Sequence, residues 1–151
     1  MKIVNKFSLT IDSQETNVEF VKSVVKAFMT EVDPTVEEVN DICCAIEGAL
    51  SNCVHHAYPD SVGKIYITAT LHQDGYTKIK IRDKGCGIKN IKRAMEPRYT
   101  SKPGQGHCGL GFSVMESFCD KISINSPPGK GTTVTLYKKI SMRVKEQKHE
   151  R

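Results

Sequence analysis

The stretch that most constrains this chain is a strand-like segment that ends in a carboxylate and passes directly into a glycine turn. Between residues 76 and 82, isoleucines alternate with lysine and arginine, a period of two that predicts a half-buried strand. Asp83 follows, and then Gly85 and Gly87 form a Gly-x-Gly turn. Glycine has no Cβ, so a ligand can approach the backbone closely there. A buried Asp at a strand end can accept hydrogen bonds from an amino-substituted ring, although such a short motif taken alone is more often an ordinary turn.

Length and composition indicate a single globular domain. The chain has 151 residues, enough to bury a core, with 38% hydrophobic and 26% charged residues. No apolar run approaches the roughly 20 residues that span a bilayer, and the N-terminus has no signal-peptide core. We therefore expect a cytoplasmic protein without a membrane partner. The six cysteines show no C-x-x-C spacing, so we expect apolar fillers or reduced thiols rather than metal ligands.

The charge pattern argues against a nucleic-acid partner. The formal net charge is +5, and much of it lies near the C-terminus. We expect residues 1–140 to form the domain and residues 141–151 to be a charged, disordered tail. A nucleic-acid-binding face needs a basic stripe with stacking aromatic residues. The sequence has no Trp and no aromatic cluster among its basic residues, so we expect no direct contact with nucleic acid.

Periodicity along the chain predicts strands with interspersed helices. The predicted strands cover residues 5–12, 64–71, 76–82, 121–125 and 132–139, and the predicted helices cover 14–31, 35–57, 88–95 and 110–120. The second helix starts with a capping box of Thr35 and Glu38, and its apolar stripe begins at Val36. Residues 96–111 are rich in Pro and Gly and predict a long loop that could serve as a lid. These elements predict an α/β (α+β) two-layer sandwich with a mostly antiparallel sheet.

Separated polar and glycine residues could form one site with Asp83. Asn52 lies on the second helix, about 240° away from a residue of the apolar stripe, and its side-chain oxygen could bind a hydrated Mg²⁺. Gly109 and Gly111 open the last helix, where backbone N–H groups could bind phosphate. Thr132 begins the last strand, where its hydroxyl could pair with the same ring as Asp83. Taken singly, a helical Asn is more often a solvated polar residue.

Short motifs follow one another along the chain: Asp33-Pro34-Thr35, Asn52-x-x-x-His56-x-Tyr58, Arg82-Asp83-x-Gly85-x-Gly87-Ile88, Thr100-x-Lys102-Pro103, Gly109-x-Gly111-Phe112 and Lys130-Gly131-Thr132-Thr133-Val134. In this order they resemble the Bergerat-type ATP-binding fold of gyrase, mismatch-repair ATPases and histidine kinases. The match is closer to the bacterial anti-sigma-factor serine kinases of the sporulation anti-sigma F type, over roughly residues 7–140. The resemblance implies a mixed sheet with helices on one face.

The resemblance also implies roles for particular residues. Asp83 would hold the adenine amino group, Thr132 would support the adenine, and Asn52 would ligate Mg²⁺. Lys102 and the loop of residues 98–108 would close over the phosphates of ATP or ADP. The further residues implied in the nucleotide site are Gly85, Gly87, Thr100, His107, Gly109 and Gly111. Proteins of this family dimerise, sequester a sigma factor and phosphorylate a serine of an anti-anti-sigma protein.

The sequence departs from the family at the catalytic position. The family has a glutamate, the general base, four residues before the Mg²⁺-binding asparagine, and this chain has Gly48 there. Glu47 is five residues before Asn52, which turns its side chain about 140° away unless the helix bulges between them. Loss of a general base typically slows a reaction about 10²–10⁴-fold. Glu47 is therefore a doubtful catalytic residue.

Two positions implied in partner contact also differ from the family. His107 replaces an arginine that contacts phosphate and partner, and Lys22 replaces a partner-contacting arginine on the first helix. Histidine is only partly charged near neutral pH, and lysine lacks the bidentate fork of arginine. Both changes favour a different partner. His55 and His56 are interpreted as residues at a helix end rather than metal ligands.

Two functions remain open from the sequence. The first is an anti-sigma factor that is also an ATP-dependent serine kinase of an anti-anti-sigma protein. The second is an ATP-binding sequestering module with little or no kinase activity, which Gly48 favours. A detached histidine-kinase ATPase domain is a third and weaker interpretation, because no phosphoacceptor His motif or dimerisation hairpin precedes the pocket in this sequence.

Overall fold

The computed structural model describes residues 2–86, 112–127 and 129–141. The strands are β1 (Ile3–Asp12), β2 (Lys64–His72), β3 (Tyr76–Asp83), β4 (Lys121–Asn125) and β5 (Thr133–Lys139). The helices are α1 (Thr16–Met29), α2 (Val36–Asn52) and α3 (Phe112–Phe118), with a 3₁₀ turn at Thr30–Val32 and a π-helical turn at Cys53–Ala57. Every predicted strand is present, with ends within two residues of those expected.

The strands form one sheet in the order β1-β2-β3-β5-β4. The tight turn after His72 joins β2 to β3 as the expected hairpin, with Leu71 opposite Thr77. All pairings between the described strands are antiparallel, so this part of the sheet is more regular than the mixed sheet implied by the resemblance. The α+β two-layer class is confirmed.

The core lies between the sheet and α2, which packs against α1, α3 and β5. One face of β2 and β3 supplies aliphatic side chains that are at most 1% exposed: Ile65, Ile67, Ala69, Leu71, Ile79 and Ile81. The other side of this core comes from α2, mainly Ile42, Ile46 and Leu50, each fully buried. Burying one such side chain contributes about 1.5–3 kcal/mol, so this layer contact holds the helix against the sheet.

The start of α2 is set by the predicted capping box. Thr35 Oγ1 accepts a hydrogen bond from the Glu38 N–H at 3.0 Å, and Glu38 Oε1 accepts one from the Thr35 N–H at 2.8 Å. Asp33 has a φ of 48°, which turns the chain sharply ahead of the helix. The expectation that Val36 joins the core is wrong, because this residue is 79% exposed. It lies in the first turn, where side chains tilt toward the N-terminus and here extend past the edge of the core.

The sheet face away from the helices carries tyrosines among cations. Tyr66 on β2 lies opposite Arg82 on β3, and Lys84 Nζ is 5.0 Å from the centre of its ring. Tyr137 on β5 lies opposite Lys78, whose Nζ is 5.9 Å from that ring centre. The sequence argument against nucleic acid rested on the lack of an aromatic cluster among the basic residues. In the fold, tyrosines and cations from neighbouring strands nevertheless lie side by side. The absence of a nucleic-acid partner stays a prediction.

Several predicted features lie outside the described residues: the helix at 88–95, the whole loop at 96–111, and all but the first residue of the tail at 141–151. The domain boundary therefore stays a prediction. Near that boundary, Ile140 is fully buried and the Ser141 N–H donates to Glu38 Oε2 at 2.8 Å. Within the described ranges, none of the helices has the length and apolar character needed to cross a membrane.

Candidate functional site

Asp83 is the centre of the candidate site. It is the last residue of β3 and only 1% exposed. Its Oδ1 accepts hydrogen bonds from the Gly85 N–H at 2.9 Å and from the Thr132 N–H at 3.2 Å. Hydrogen bonds to a charged acceptor are stronger than those between neutral groups. The carboxyl group is therefore held inside the fold from two sides.

Thr132 lies directly across from Asp83. The Asp83 N–H donates to the Thr132 carbonyl at 2.9 Å, which extends the β3–β5 pairing beyond its last strand residues. The Thr132 side chain is buried, and its hydroxyl lies 2.8 Å from that of Ser126. Gly131 has a φ of 85°, and a Cβ there would overlap the Asp83 carbonyl oxygen. A glycine is thus required immediately before Thr132 for the two strands to approach at Asp83.

The end of α2 packs against the turn that follows Asp83. A Cβ on Gly85 would overlap the Ala57 carbonyl, so this approach needs glycine. The Cys86 N–H donates to that same carbonyl at 3.2 Å. The last carbonyls of a helix have no partner within the helix, and the turn supplies one here. This contact brings the last residues of α2 beside Asp83.

Tyr58 fixes the same corner from the other side. Its hydroxyl accepts a hydrogen bond from the Lys84 N–H and donates one to the Lys64 carbonyl, both at 2.7 Å. The side chain therefore ties the end of β3 to the start of β2. Its ring also packs on Gly63, where a Cβ would overlap the ring. The sequence placed Tyr58 just after the predicted helix and within a motif, but did not predict this bridging role.

Cys53 makes the only protein hydrogen bond to Asp83 Oδ2 among the described residues. Its thiol donates to that oxygen at 3.4 Å, and the residue is 2% exposed. Burial and then the negative charge of Asp83 raise the pKa of the thiol well above its ordinary value, so the thiol stays protonated and can donate. Asn52, the preceding residue, is half-buried at the end of α2.

Glu47 is paired with α1, unlike the residues at the end of α2 that contact Asp83 and its turn. The helix is regular up to Asn52, because the Cys53 N–H still bonds to the carbonyl four residues earlier. The π-helical turn begins only at Cys53, so no bulge lies between Glu47 and Asn52. Five residues of regular helix separate their side chains by about 140°. Glu47 Oε1 instead accepts a hydrogen bond from Lys22 Nζ of α1 at 3.2 Å.

The structure thus divides the predicted site residues. Asp83, Gly85 and Thr132 are in direct contact, and Asn52 adjoins Cys53 in the chain. Glu47 and Lys22 pair with each other at the contact between α1 and α2. The predicted site residues outside the described ranges are Gly87, Thr100, Lys102, His107, Gly109 and Gly111.

Sequence reasoning missed two residues of the site. Cys53 was taken as part of the apolar stripe of α2, and no local pattern marks a thiol whose partner lies 30 residues away. No sequence pattern marks Ser126, although its hydroxyl lies beside that of Thr132. Cys53 could have been found from the sequence, because it directly follows Asn52 in the motif Asn52-x-x-x-His56-x-Tyr58.

The arrangement can recognise a ring that carries an amino group. Oδ1 of Asp83 is occupied by two backbone donors, whereas Oδ2 has a thiol, which is a weak donor. A carboxylate oxygen accepts more than one hydrogen bond, so Oδ2 can take an amino N–H in addition. A ring carbonyl at the same position would face the carboxylate oxygen with no hydrogen between them.

Residues 11–138 match the family of histidine kinase-like ATPase domains. The anti-sigma F factor of Clostridium acetobutylicum is 40% identical over 138 residues, which cover 91% of this chain and 96% of that protein. The anti-sigma F factor of Priestia megaterium is 38% identical over 138 residues, covering 91% of this chain and 94% of that protein.

Solved structures agree at the level of the fold. A Mycobacterium tuberculosis protein with RsbU and RsbW domains gives a TM-score of 0.67 at 21% identity, covering 91% of this chain and 33% of that chain. The mycobacterial sensor histidine kinase MprB gives a TM-score of 0.55 at 16% identity, covering 89% of this chain and 99% of that chain. Fold and site together define an ATPase domain of the histidine kinase-like class. By its curated relatives, the chain belongs within that class to the anti-sigma F factor family.

Proposed function

We propose that this protein is a cytoplasmic, ATP-binding anti-sigma factor that sequesters a sigma factor, forms a homodimer and responds to an anti-anti-sigma protein. Nucleotide binding rests on one observation, the buried Asp83 carboxyl group whose Oδ2 accepts only a weak thiol donor and has acceptor capacity left for an amino group. The sigma factor as partner rests on the anti-sigma F factor relatives, which match this chain over nearly their whole length.

Adenine recognition follows from the fixed carboxyl group. Two backbone N–H groups hold Oδ1 and the Cys53 thiol contacts Oδ2, so the side chain needs no reordering when a purine arrives. The exocyclic amino group of adenine donates to Oδ2. The Thr132 N–H binds the same carboxyl group, and its hydroxyl, held beside that of Ser126, supports the ring edge. A site prepared in this way loses little conformational entropy on binding.

Magnesium would be bound jointly by the protein and the nucleotide. Among the described residues, no three His, Cys, Asp or Glu side chains are close enough to form a metal site of their own. Mg²⁺ commonly takes only one or two protein ligands and completes its shell with phosphate oxygens and water. The carboxamide oxygen of Asn52, at the end of α2, would be such a protein ligand. Lys102, His107 and the glycines at 109 and 111 would act on the phosphates.

The proposal also concerns the transfer of phosphate to a serine. The geometry favours slow transfer over a fast kinase. A general base must reach the hydroxyl that attacks the γ-phosphate. Glu47 is held by Lys22 on another side of a regular helix, and Gly48, at the family's catalytic position, has no side chain. We therefore favour a nucleotide-dependent sequestering protein with slow transfer to the anti-anti-sigma serine. A fast kinase is the alternative.

Labelled ATP, Mg²⁺ and an anti-anti-sigma protein test this choice. The unmodified protein should transfer label slowly, and Gly48→Glu should raise the rate by about 10²-fold or more by restoring a base at the right helical position. Gly48→Ala is the matched control, since it removes glycine without adding a carboxylate. Melting temperatures must accompany all three, because position 48 is buried.

The outcomes separate the two functions. Fast transfer by the unmodified protein, unchanged in Glu47→Gln, would show that the base lies elsewhere and would refute the sequestering proposal. Fast transfer that Glu47→Gln abolishes would establish Glu47 as the base despite its pairing with Lys22. Binding of a sigma factor by the purified protein, with and without ATP, tests the anti-sigma role independently of phosphotransfer.

A further inference from the structure

The two oxygens of the Asp83 carboxyl group are held by different kinds of donor. Backbone N–H groups of Gly85 and Thr132 bind Oδ1, so any sequence with this backbone would make those bonds. Oδ2 is bound by a side chain, the thiol of Cys53. The orientation of Oδ2, the oxygen left for a ligand, therefore depends on the residue type at position 53.

The position of Cys53 in the helix explains this contact. The residue begins the π-helical turn Cys53–Ala57, and the carbonyl at the end of that turn receives the Cys86 N–H. The wider turn and the glycine at 85 bring the helix end and the strand end together. Cys53 is thereby enclosed, with 2% exposure, and its sulfur lies 3.4 Å from Oδ2.

We propose that Cys53 is a positioning residue for the nucleobase: its thiol fixes Asp83 Oδ2 so that this oxygen selects a purine with an amino group over one with a carbonyl at the same place. The inference rests on the proposed nucleotide site. A thiol suits this role because it is a weak donor, which orients the oxygen while leaving it a good acceptor.

Binding of ADP and GDP to the purified full chain tests the inference by calorimetry. Cys53→Ala should weaken ADP binding about tenfold, equivalent to about 1.4 kcal/mol, and reduce the preference for ADP over GDP by a similar factor. Cys53→Ser keeps a hydroxyl donor and should restore both quantities to within about threefold of the unmodified protein. Cys43→Ala is the matched control, because Cys43 is also buried on α2 at 6% exposure. It should change neither quantity.

Each result decides a separate point. If the unmodified protein binds neither nucleotide, the nucleotide site itself is wrong, and this inference is wrong with it. If ADP binds normally and Cys53→Ala has the same affinity and the same preference, only the inference is overturned. Equal losses in Cys53→Ala and Cys53→Ser would assign the effect to side-chain volume and likewise overturn a donor role.

A measurement on the unmodified chain covers the case in which Cys53→Ala does not fold. Alkylation by iodoacetamide, followed by mass spectrometry, reports the opening of each buried thiol. ADP should slow alkylation of Cys53 at least tenfold and of Cys43 much less, since only Cys53 contacts the carboxyl group that the nucleotide binds. Equal protection of both thiols would indicate general stabilisation of the fold and contradict the proposal.

Discussion

Two parts of α2 carry the proposed chemistry, and they differ in how the fold holds them. At the C-terminal end, the Cys53 thiol donates to Asp83 at 3.4 Å, and Ala57 of the π-helical turn accepts the Cys86 N–H at 3.2 Å and packs on Gly85. In the middle, Glu47 is 38% exposed and contacts α1 through a single ion pair with Lys22. In the proposed function the end of the helix serves binding, whereas the middle has Gly48 at the position where the family resemblance places the general base. Binding and transfer can therefore be separated within one helix.

The largest effect should come from Asp83→Asn, which tests the binding end. The amide would present a donor where Oδ2 accepts, so it would repel the amino group of adenine. We expect ADP affinity to fall about 100-fold or more, equivalent to about 2.7 kcal/mol, by calorimetry. Asp12→Asn, which alters an exposed ion pair with Lys64, is the control. Unchanged affinity of Asp83→Asn would remove the basis of the adenine site.

Gly85→Ala should damage the same end through packing. Its Cβ would overlap the Ala57 carbonyl and push the turn away from α2. Overpacking of this kind costs about 1–3 kcal/mol, so both the melting temperature and ADP affinity should fall. Gly129→Ala is matched to it, because Gly129 has a φ of 73° but no atom within reach of a Cβ. Gly129→Ala should lose stability through backbone strain and keep its ADP affinity. An equal loss of affinity in both variants would show that the contact between Gly85 and Ala57 does not determine ADP binding.

Glu38 in the capping box stabilises the start of α2, and its contribution to the stability of the protein should depend on pH. Burial raises the pKa of Glu38, but hydrogen bonds from Thr35 and Ser141 outweigh this and lower the pKa below its ordinary value of 4.5. A lowered pKa in the folded state means that the stabilisation is present above about pH 4.5 and is lost as the pH falls through the folded value. Glu38→Gln should therefore cost about 1 kcal/mol near pH 7 and less at acid pH. Chemical denaturation across pH measures this, with the exposed Glu37→Gln as control; a cost that does not depend on pH would contradict the ionic role.

The smallest effect should come from Lys22→Ala at the middle of the helix. The hydrogen bonds with Glu19 and then Glu47 raise the pKa of Lys22, so the pairs persist through neutral pH. Partly exposed ion pairs contribute about 0–1 kcal/mol, so stability should change little. ADP affinity should stay within twofold, as in the control Lys26→Ala, because neither lysine contacts the Asp83 site. A tenfold loss of affinity in Lys22→Ala alone would show that the two parts of α2 are coupled, contrary to the comparison.

The elements of the fold were largely predictable from the chain. The alternation in residues 76–82 located β3, and the Thr35 and Glu38 pair located the start of α2, because both signals depend on neighbours in sequence. The separation of Glu47 from Asn52 was also predictable, since it follows from the geometry of any regular helix. The exposure of Val36 was not, because burial at a helix end depends on where the sheet below it stops.

The sequence by itself determined the strands and helices, the carboxylate at the end of β3 and the glycine at position 48. Tertiary structure alone decided that Cys53 faces Asp83, that Lys22 takes up Glu47, and that Tyr66 and Tyr137 lie among cations on the open face. The physical reason is range. Hydrogen-bond periodicity and capping act over a few residues, whereas these contacts join side chains that become neighbours only when the helices and strands pack together.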